Sequence, residues 1–125
     1  MSKAEYIPLE ELDIYKQAME IGEIVWEIVL TWDYFPKSTV GHQFTRSADS
    51  IAANIAEGYG RFHFKDKRNF YYHSRGSLTE TKTWTTKSKN RKLITEEQFD
   101  VLYKKMKSLH VALNNHIKAL PLKEG

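Results

Sequence analysis

Residues 50–61 read Ser50-Ile51-Ala52-Ala53-Asn54-Ile55-Ala56-Glu57-Gly58-Tyr59-Gly60-Arg61, and the rest of the chain is organised around them. Phe44, Ala48, Ile51, Ala52 and Ile55 fall at i, i+4, i+7, i+8 and i+11, which is one face of an α-helix. Gly58 and Gly60 follow the last apolar turn. Glycine takes positive φ without a Cβ clash, so the spacing predicts a helix C-cap near Gly58. Asn54 and Glu57 are polar residues at a helix end made of small side chains. The expected role of Asn54 is to face solvent or bond nearby backbone, and that of Glu57 is to pair with an arginine. A functional pocket around Asn54, Glu57 and Arg61 is the competing reading.

Upstream, Asp33-Tyr34-Phe35-Pro36-Lys37-Ser38 reads as a connection. Pro36 biases Phe35 away from helical geometry. Ser38 or Thr39 then caps the helix that runs to about Glu57. Before the connection, Pro8 suits a first helical turn, and Glu10, Glu11 and Asp13 favour the positive end of the helix dipole. That helix extends to about Trp32. Tyr15, Ala18, Gly22, Val25, Val29 and Trp32 alternate by three and four, and Ile14, Ile21 and Ile28 widen the stripe. Leu12, Met19, Trp26 and Leu30 extend it to an apolar arc of roughly 240°. A surface helix needs only ~100° or somewhat more. Two buried faces follow, one toward the bundle core and one toward a neighbouring subunit, with Met19, Trp26 and Leu30 as the oligomer contacts. A helix central in a single bundle is the alternative.

Downstream, Arg61-Phe62-His63-Phe64-Lys65-Asp66-Lys67-Arg68 interleaves basic and aromatic residues. Such a segment can contact phosphates and stack on bases, or it can pack its aromatics on the bundle end with its charges solvated. The third helix should cover about 65–90. Its core-spaced positions are Phe70, Ser74, Ser77, Thr81, Trp84 and Ser88, with Leu78 alongside, and Lys82, Lys87, Lys89, Arg91 and Lys92 form its solvent face. Small hydroxylated residues allow close approach and can bond the preceding turn, and this helix is expected to be the loosest of the four. Thr95-Glu96-Glu97-Gln98 reads as a capping box. Phe99, Leu102, Met106, Leu109, Leu113 and Leu120 then keep heptad spacing, with His116 or Ile117 between. Pro121 ends the helix.

Arg46-Ser47-Ala48-x-Ser50-Ile51-x-x-Asn54-Ile55-Ala56-Glu57-Gly58-x-Gly60-Arg61 resembles the signature of the four-helix bundle, intervening-sequence protein family, whose members are often encoded in inserts within large-subunit ribosomal RNA genes. Phe70 followed by Arg75-Gly76-Ser77-Leu78-x-Glu80 matches a second block, and Phe35-Pro36 a third. The matches span residues 35–80. The resemblance implies a single up-down bundle assembled as a ring-like homopentamer, and it implies no known enzymatic activity. The chain departs from the family at Lys67, Arg68, His73, Ser74, Thr81 and Thr85, where apolar residues are usual. A weaker, fold-level similarity connects the family to the pentameric accessory proteins of diversity-generating retroelements.

A chain of 125 residues makes one domain with room for a proper core. The absence of cysteine removes disulfides, thiol nucleophiles and Cys-based zinc sites, and fits a reducing cytoplasm. The N-terminus lacks an apolar signal region, and no apolar run approaches the ~18 residues of a membrane span. The net charge of +3 conceals an asymmetry: residues 1–34 carry −6 and residues 58–94 carry +8. These blocks can pair within the fold or between subunits, or the basic one can face an anionic partner.

Little points to catalysis. No Glu-x-x-His pair exists for a di-metal carboxylate site, the five histidines lack i, i+4 ligand spacing, and neither a Walker loop nor a nucleophile elbow is present. Glu57 and Glu80 are the one candidate carboxylate pair for acid–base work. The competing reading binds each to an arginine, with Arg46, Arg61 and Arg75 available. The expectation is an all-α, antiparallel up-down four-helix bundle with helices at about 9–32, 39–58, 65–90 and 96–120. It is expected to be non-enzymatic, cytoplasmic, without cofactor or metal, and homo-oligomeric. Its candidate contacts to RNA or DNA are Arg61, Lys65, Lys67, Arg68, Lys82, Lys87, Lys89, Arg91 and Lys92. Arg46, Asn54, Glu57, Gly58, Gly60, Arg75, Gly76 and Glu80 are the structural residues of the family motif. A protein–protein scaffold or accessory subunit is the alternative function.

Overall fold

The computed structural model describes residues 6–123. Among these residues there are four long helices and no strand. Helix α1 spans Asp13–Leu30, α2 His42–Tyr59, α3 Phe64–Asn90 and α4 Glu96–Ala119. Both α1 and α3 border α2 and α4, so the four close around one core. Register is read from side-chain contacts. The Tyr71 ring lies against Gly58, Ser74 Oγ donates to the Ile51 carbonyl at 2.8 Å, and Thr81 Oγ1 donates to Ser47 Oγ at 3.0 Å. Positions thus descend along α2 as they rise along α3. Between α1 and α4, Glu20 accepts from Lys105 at 2.6 Å and Gln17 from Ser108 at 3.2 Å, with the same opposite progression.

Several boundaries differ from the sequence expectation for identifiable reasons. Pro8 opens a 3-10 turn at Leu9–Glu11, and Leu12 is extended with ψ 123, so α1 begins at Asp13 rather than near residue 9. Residues 34–41 are helical rather than a loop: a turn at Tyr34–Pro36 and a π-helical stretch at Lys37–Gly41 lead straight into α2. Pro36 is tolerated because it lies in a first turn, where its missing N–H costs nothing. Ser38 and Thr39 do not cap α2. Their hydroxyls donate to the Phe35 carbonyl at 3.2 and 2.7 Å. Gly58 is not a C-cap either. It lies inside α2, which ends at Tyr59, and Gly60 follows with φ −78. The last carbonyls of α2, those of Gly58 and Tyr59, accept from Lys67 Nζ at 3.3 and 2.8 Å, a cation at the negative end of a helix, and that of Gly58 also accepts from Arg61 N–H at 3.2 Å.

Among the described residues the positive φ outside glycine is that of Lys92, at 60. Leu93 N–H donates to Ser88 O at 2.8 Å and Lys92 N–H to Lys89 O at 3.0 Å. This is a Schellman closure of α3 with lysine at the position that favours glycine. The capping box at α4 forms as its sequence predicts: Gln98 N–H donates to Thr95 Oγ1 at 3.0 Å, and Thr95 N–H to Gln98 Oε1 at 2.9 Å.

The core takes Ile14, Ala18, Ile21, Val25 and Ile28 from α1 and Phe44, Ala48, Ile51 and Ile55 from α2. From α4 it takes Leu102, Met106, Leu109, Leu113 and Ile117, so Ile117 rather than His116 completes that seam, while Phe99 and Leu120 are half-buried at its ends. In α3 the buried stripe is Tyr71, Ser74, Leu78, Thr81, Thr85 and Ser88. Phe70, Ser77 and Trp84 flank it half-buried, a rotation from the expected phase that brings Tyr71 and Leu78 inward. Two of its hydroxyls also reach the preceding turn: Thr81 Oγ1 lies 2.8 Å from Ser77 O, sharing its proton with Ser47 Oγ, and Thr85 Oγ1 donates to Thr81 O at 2.8 Å. These polar positions therefore face the bundle core. Ser88 Oγ and Trp32 Nε1 are buried without a partner. Met19, Trp26 and Leu30 remain 43, 47 and 48 % exposed, so the second half of the α1 arc lies open on the single chain. No helix among the described residues is long and apolar enough to cross a membrane.

Candidate nucleic-acid interface

The nine basic residues singled out from the sequence do not form one surface. Residues 65 and 91 lie ~39 Å apart along α3 at 1.5 Å per residue, which places the cations at two ends of the bundle with a packed section between. In that middle, Lys82 is half-buried and its ammonium donates to His110 Nδ1 at 2.7 Å. Burial lowers the pKa of Lys82. Burial, with Lys82 and Arg75 adding to it, lowers that of His110. Beside this pair Arg75 Nη1 donates to Asn114 Oδ1 at 2.9 Å and its guanidinium lies 5.0 Å from the Tyr72 ring centre.

At the N-terminal end of α3 the cations are largely engaged. Lys67 caps α2, as described above, and burial lowers its pKa. Arg68 Nη2 donates to Pro121 O at 2.6 Å, and Arg61 pairs with Glu57 at 3.1 Å while lying 4.7 Å from the centre of the Phe70 ring. Phe62 is 87 % exposed beside them. Lys65 is exposed in the first turn of α3.

The C-terminal end of α3 is different. Lys89 is used locally: it pairs with Glu96 at 3.4 Å and sits 4.2 Å from the Phe99 ring centre, closing the α3–α4 turn. Lys87, Arg91 and Lys92 are exposed and make no ion pair among the described residues. Lys87 and Arg91 line a cavity of about 400 Å³ together with Trp84 of α3, His42 and Gln43 of α2, and Ser38, Thr39 and Val40 of its lead-in. Trp84, Lys87 and Arg91 are i, i+3 and i+7 on α3, so one helix face presents an indole followed by two cations. That spacing was available in the sequence. Trp84 reads there as a core position because it also completes a heptad, and His42 and Gln43 carry no signal until the lead-in is known to be helical.

The motif residues hold this end together. Glu80 accepts from Arg46 Nη2 and from Trp84 Nε1, the latter at 3.0 Å, while Arg46 Nε and Nη2 donate to Gln43 Oε1 at 3.2 and 3.1 Å. Arg75 is therefore not the partner of Glu80. Asn54 bonds the Ser50 carbonyl at 2.9 Å and does not line the cavity of about 420 Å³ that Glu57 and Arg61 form with Ala53, Ala56 and Gly60. Glu57 and Glu80 stay apart, because Arg46, the partner of Glu80, precedes Glu57 by ~16 Å along α2. Among the described residues no group of three His, Asp or Glu side chains could hold a metal ion.

Three further grooves line α1, one of them bounded by Trp26, Val29 and Leu30 on α1 and by Gly41, Thr45 and Arg46 across from it. Between α1 and α4, Ile24, Ile28 and Val101 form an apolar floor beneath Glu20, Glu23, Glu27 and Glu97. Between α1 and α2, Gly22, Ala52, Ala53 and Ala56 form a shallow floor beside Tyr15 and Met19. Asp49 on this groove has its pKa raised by burial first and by neighbouring Glu23 second.

Comparison with known proteins agrees with this architecture. A crystal structure of a protein of unknown function from the S23 ribosomal protein family of Bacteroides thetaiotaomicron superposes with a TM-score of 0.76 at 20 % identity, covering 85 % of this chain and 99 % of that one. This likeness is one of fold. No curated protein matches the chain. The family model of the 23S rRNA-intervening sequence protein matches residues 10–115, and the chain belongs to that family.

Proposed function

We infer that the protein is a non-catalytic, self-assembling bundle that binds structured RNA through the basic end of α3. The observation that carries the reading is the unneutralised trio Lys87, Arg91 and Lys92. Four residues of the acidic block, Asp13, Glu20, Glu23 and Glu27, lie on α1, which borders α2 and α4 rather than α3, so these carboxylates and the basic end of α3 face different sides of one chain. Excess cations left on a surface raise the local concentration of polyanions. The opposite progression of positions along α2 and α3, and along α1 and α4, supports an antiparallel up-down arrangement. The open stripe of Met19, Trp26 and Leu30 supports contact with a second copy, and family resemblance supports five subunits. Repetition of the basic end in such an assembly turns weak phosphate contacts into useful avidity. The pairing of Glu57 with Arg61, and of Glu80 with Arg46 and Trp84, favours structural rather than acid–base roles for these carboxylates.

The test is a titration of fluorescent structured RNA at several salt concentrations. Wild-type protein binds at low salt with a steep negative log–log slope. The variant Lys87→Gln/Arg91→Gln/Lys92→Gln keeps its helicity and shows a slope shallower by about one unit per phosphate contact removed. An unchanged affinity and slope in that variant would remove this end of α3 as the contact surface. A protein–protein scaffold is the second reading, favoured by the apolar-floored acidic groove between α1 and α4. Absence of RNA binding at low salt would put it first.

A further inference from the structure

We propose that the cavity beside Trp84 is a site for one unpaired nucleotide of an RNA strand, with the base against the indole and the flanking phosphates on Lys87 and Arg91. The proposal rests on the RNA reading above and narrows it from a charged surface to a defined ligand. Three observations support it. Trp84 and Lys87 share one face of α3, and Arg91, the C-cap residue whose N–H still bonds the Lys87 carbonyl, continues it, with rises of ~4.5 Å and ~10.5 Å from the indole position to the two cations. Base stacking followed by backbone contact needs such an order along a groove. The indole is also held before any ligand arrives. Its Nε1 donates to Glu80 at 3.0 Å, Glu80 accepts from Arg46, and Arg46 is fixed by Gln43. A ring anchored in this way loses little further freedom on binding, which favours affinity. The cavity of about 400 Å³ falls within the ~300–1,000 Å³ span of small-ligand pockets.

The rim fits the edge of a base. Gln43 Oε1 is occupied by Arg46, so its amide nitrogen is the group left to donate. His42 is exposed at the same mouth. A base inside a duplex offers neither face to an indole, whereas an unpaired one offers both. The two cations that line the cavity, Lys87 and Arg91, are too few to follow a long duplex groove, yet they suit the phosphates on either side of a single base.

The experiment compares a labelled short oligoadenylate with a labelled blunt RNA hairpin, using wild-type protein, Trp84→Leu and Lys87→Gln/Arg91→Gln, with circular dichroism of each. Trp84→Leu is expected to lose about 5- to 150-fold in affinity for the single strand with its salt slope unchanged. Lys87→Gln/Arg91→Gln is expected to flatten the slope. The oligoadenylate is also expected to quench tryptophan emission in wild-type protein and to lose that quenching in Trp84→Phe, a milder variant that keeps an aromatic ring on the bundle. Equal single-strand affinity of wild type and folded Trp84→Leu, or equal quenching in Trp84→Phe, overturns the site while RNA binding itself stands. Wild-type protein that binds neither RNA at low salt overturns both the site and the reading beneath it.

Discussion

Gly58 and Gly76 both lie inside helices, and their surroundings are opposite. A Cβ built on Gly58 would meet Tyr71 Cε1 at 2.8 Å and the Lys67 carbonyl at 3.1 Å. The Tyr71 ring is fully buried and cannot swing aside. A Cβ built on Gly76 meets nothing within 4 Å. Alanine at Gly76 should therefore stabilise by about 1 kcal/mol, the ordinary gain of replacing glycine in an exposed helix interior. Alanine at Gly58 should destabilise by about 1–3 kcal/mol from overpacking. Thermal melts of the two variants check this, and a Gly58→Ala protein melting at or above wild type would contradict the close contact. Sequence placed both glycines in recognisable motifs but could not separate their roles. A C-cap and a close helix crossing both call for glycine, and only the position of Tyr71 decides between them. Lys92 shows the converse: a left-handed position filled by lysine gives no sequence signal at all.

At the scale of elements, α4 was the most legible, because a capping box at Thr95 and a leucine seam fix both its start and its face. The α3 phase was half legible. Ser74, Thr81 and Ser88 were placed correctly, but hydroxylated and aromatic residues at neighbouring positions leave the stripe ambiguous by one residue, and packing of Tyr71 against Gly58 resolves it. The Trp84 cavity was not legible, since two of its walls come from a segment whose proline reads as a break. The α4 histidines yield a prediction of their own. His110 faces Lys82 and Arg75 of α3, and His116 meets the Tyr71 ring edge-on at 4.9 Å with Lys67 nearby. Burial first, and these cations second, lower both pKa values below the ordinary 6.5. The unfolded chain therefore binds protons more readily than the folded one, and stability rises with pH through this window. Stability should be complete above about pH 6.5 and fall as the pH drops below that value. Denaturant melts at neutral and mildly acid pH should show the loss, and His110→Gln/His116→Gln should show less of it. An equal acid loss in that variant would place the sensitivity elsewhere.

Over the whole molecule, one apolar stripe has no partner within the chain. Met19, Trp26 and Leu30 each keep more than two-fifths of their surface exposed; Met19 borders the groove of Gly22, Ala52, Ala53 and Ala56, and Trp26 and Leu30 border a second one lined by Ser38, Gly41 and Thr45. Large side chains next to a row of small ones provide the knobs and the hollows that a helix contact needs, so two copies can cover each other's apolar surface. Glutamate at Trp26 would have to bury a charge in that contact, which is strongly unfavourable, whereas in a separate chain it would sit in water. Trp26→Glu should therefore reduce the solution mass to that of one chain and leave helicity unchanged. The same variant tests whether assembly matters for RNA. It touches none of the cations at the α3 end, yet loss of several linked sites should lower RNA affinity by roughly 10²–10⁴-fold if avidity operates. A mass that stays at the wild-type value would exclude the α1 stripe as the subunit contact. A single-chain mass with undiminished RNA affinity would instead mean that each basic end binds alone, and that the assembly serves something other than RNA capture.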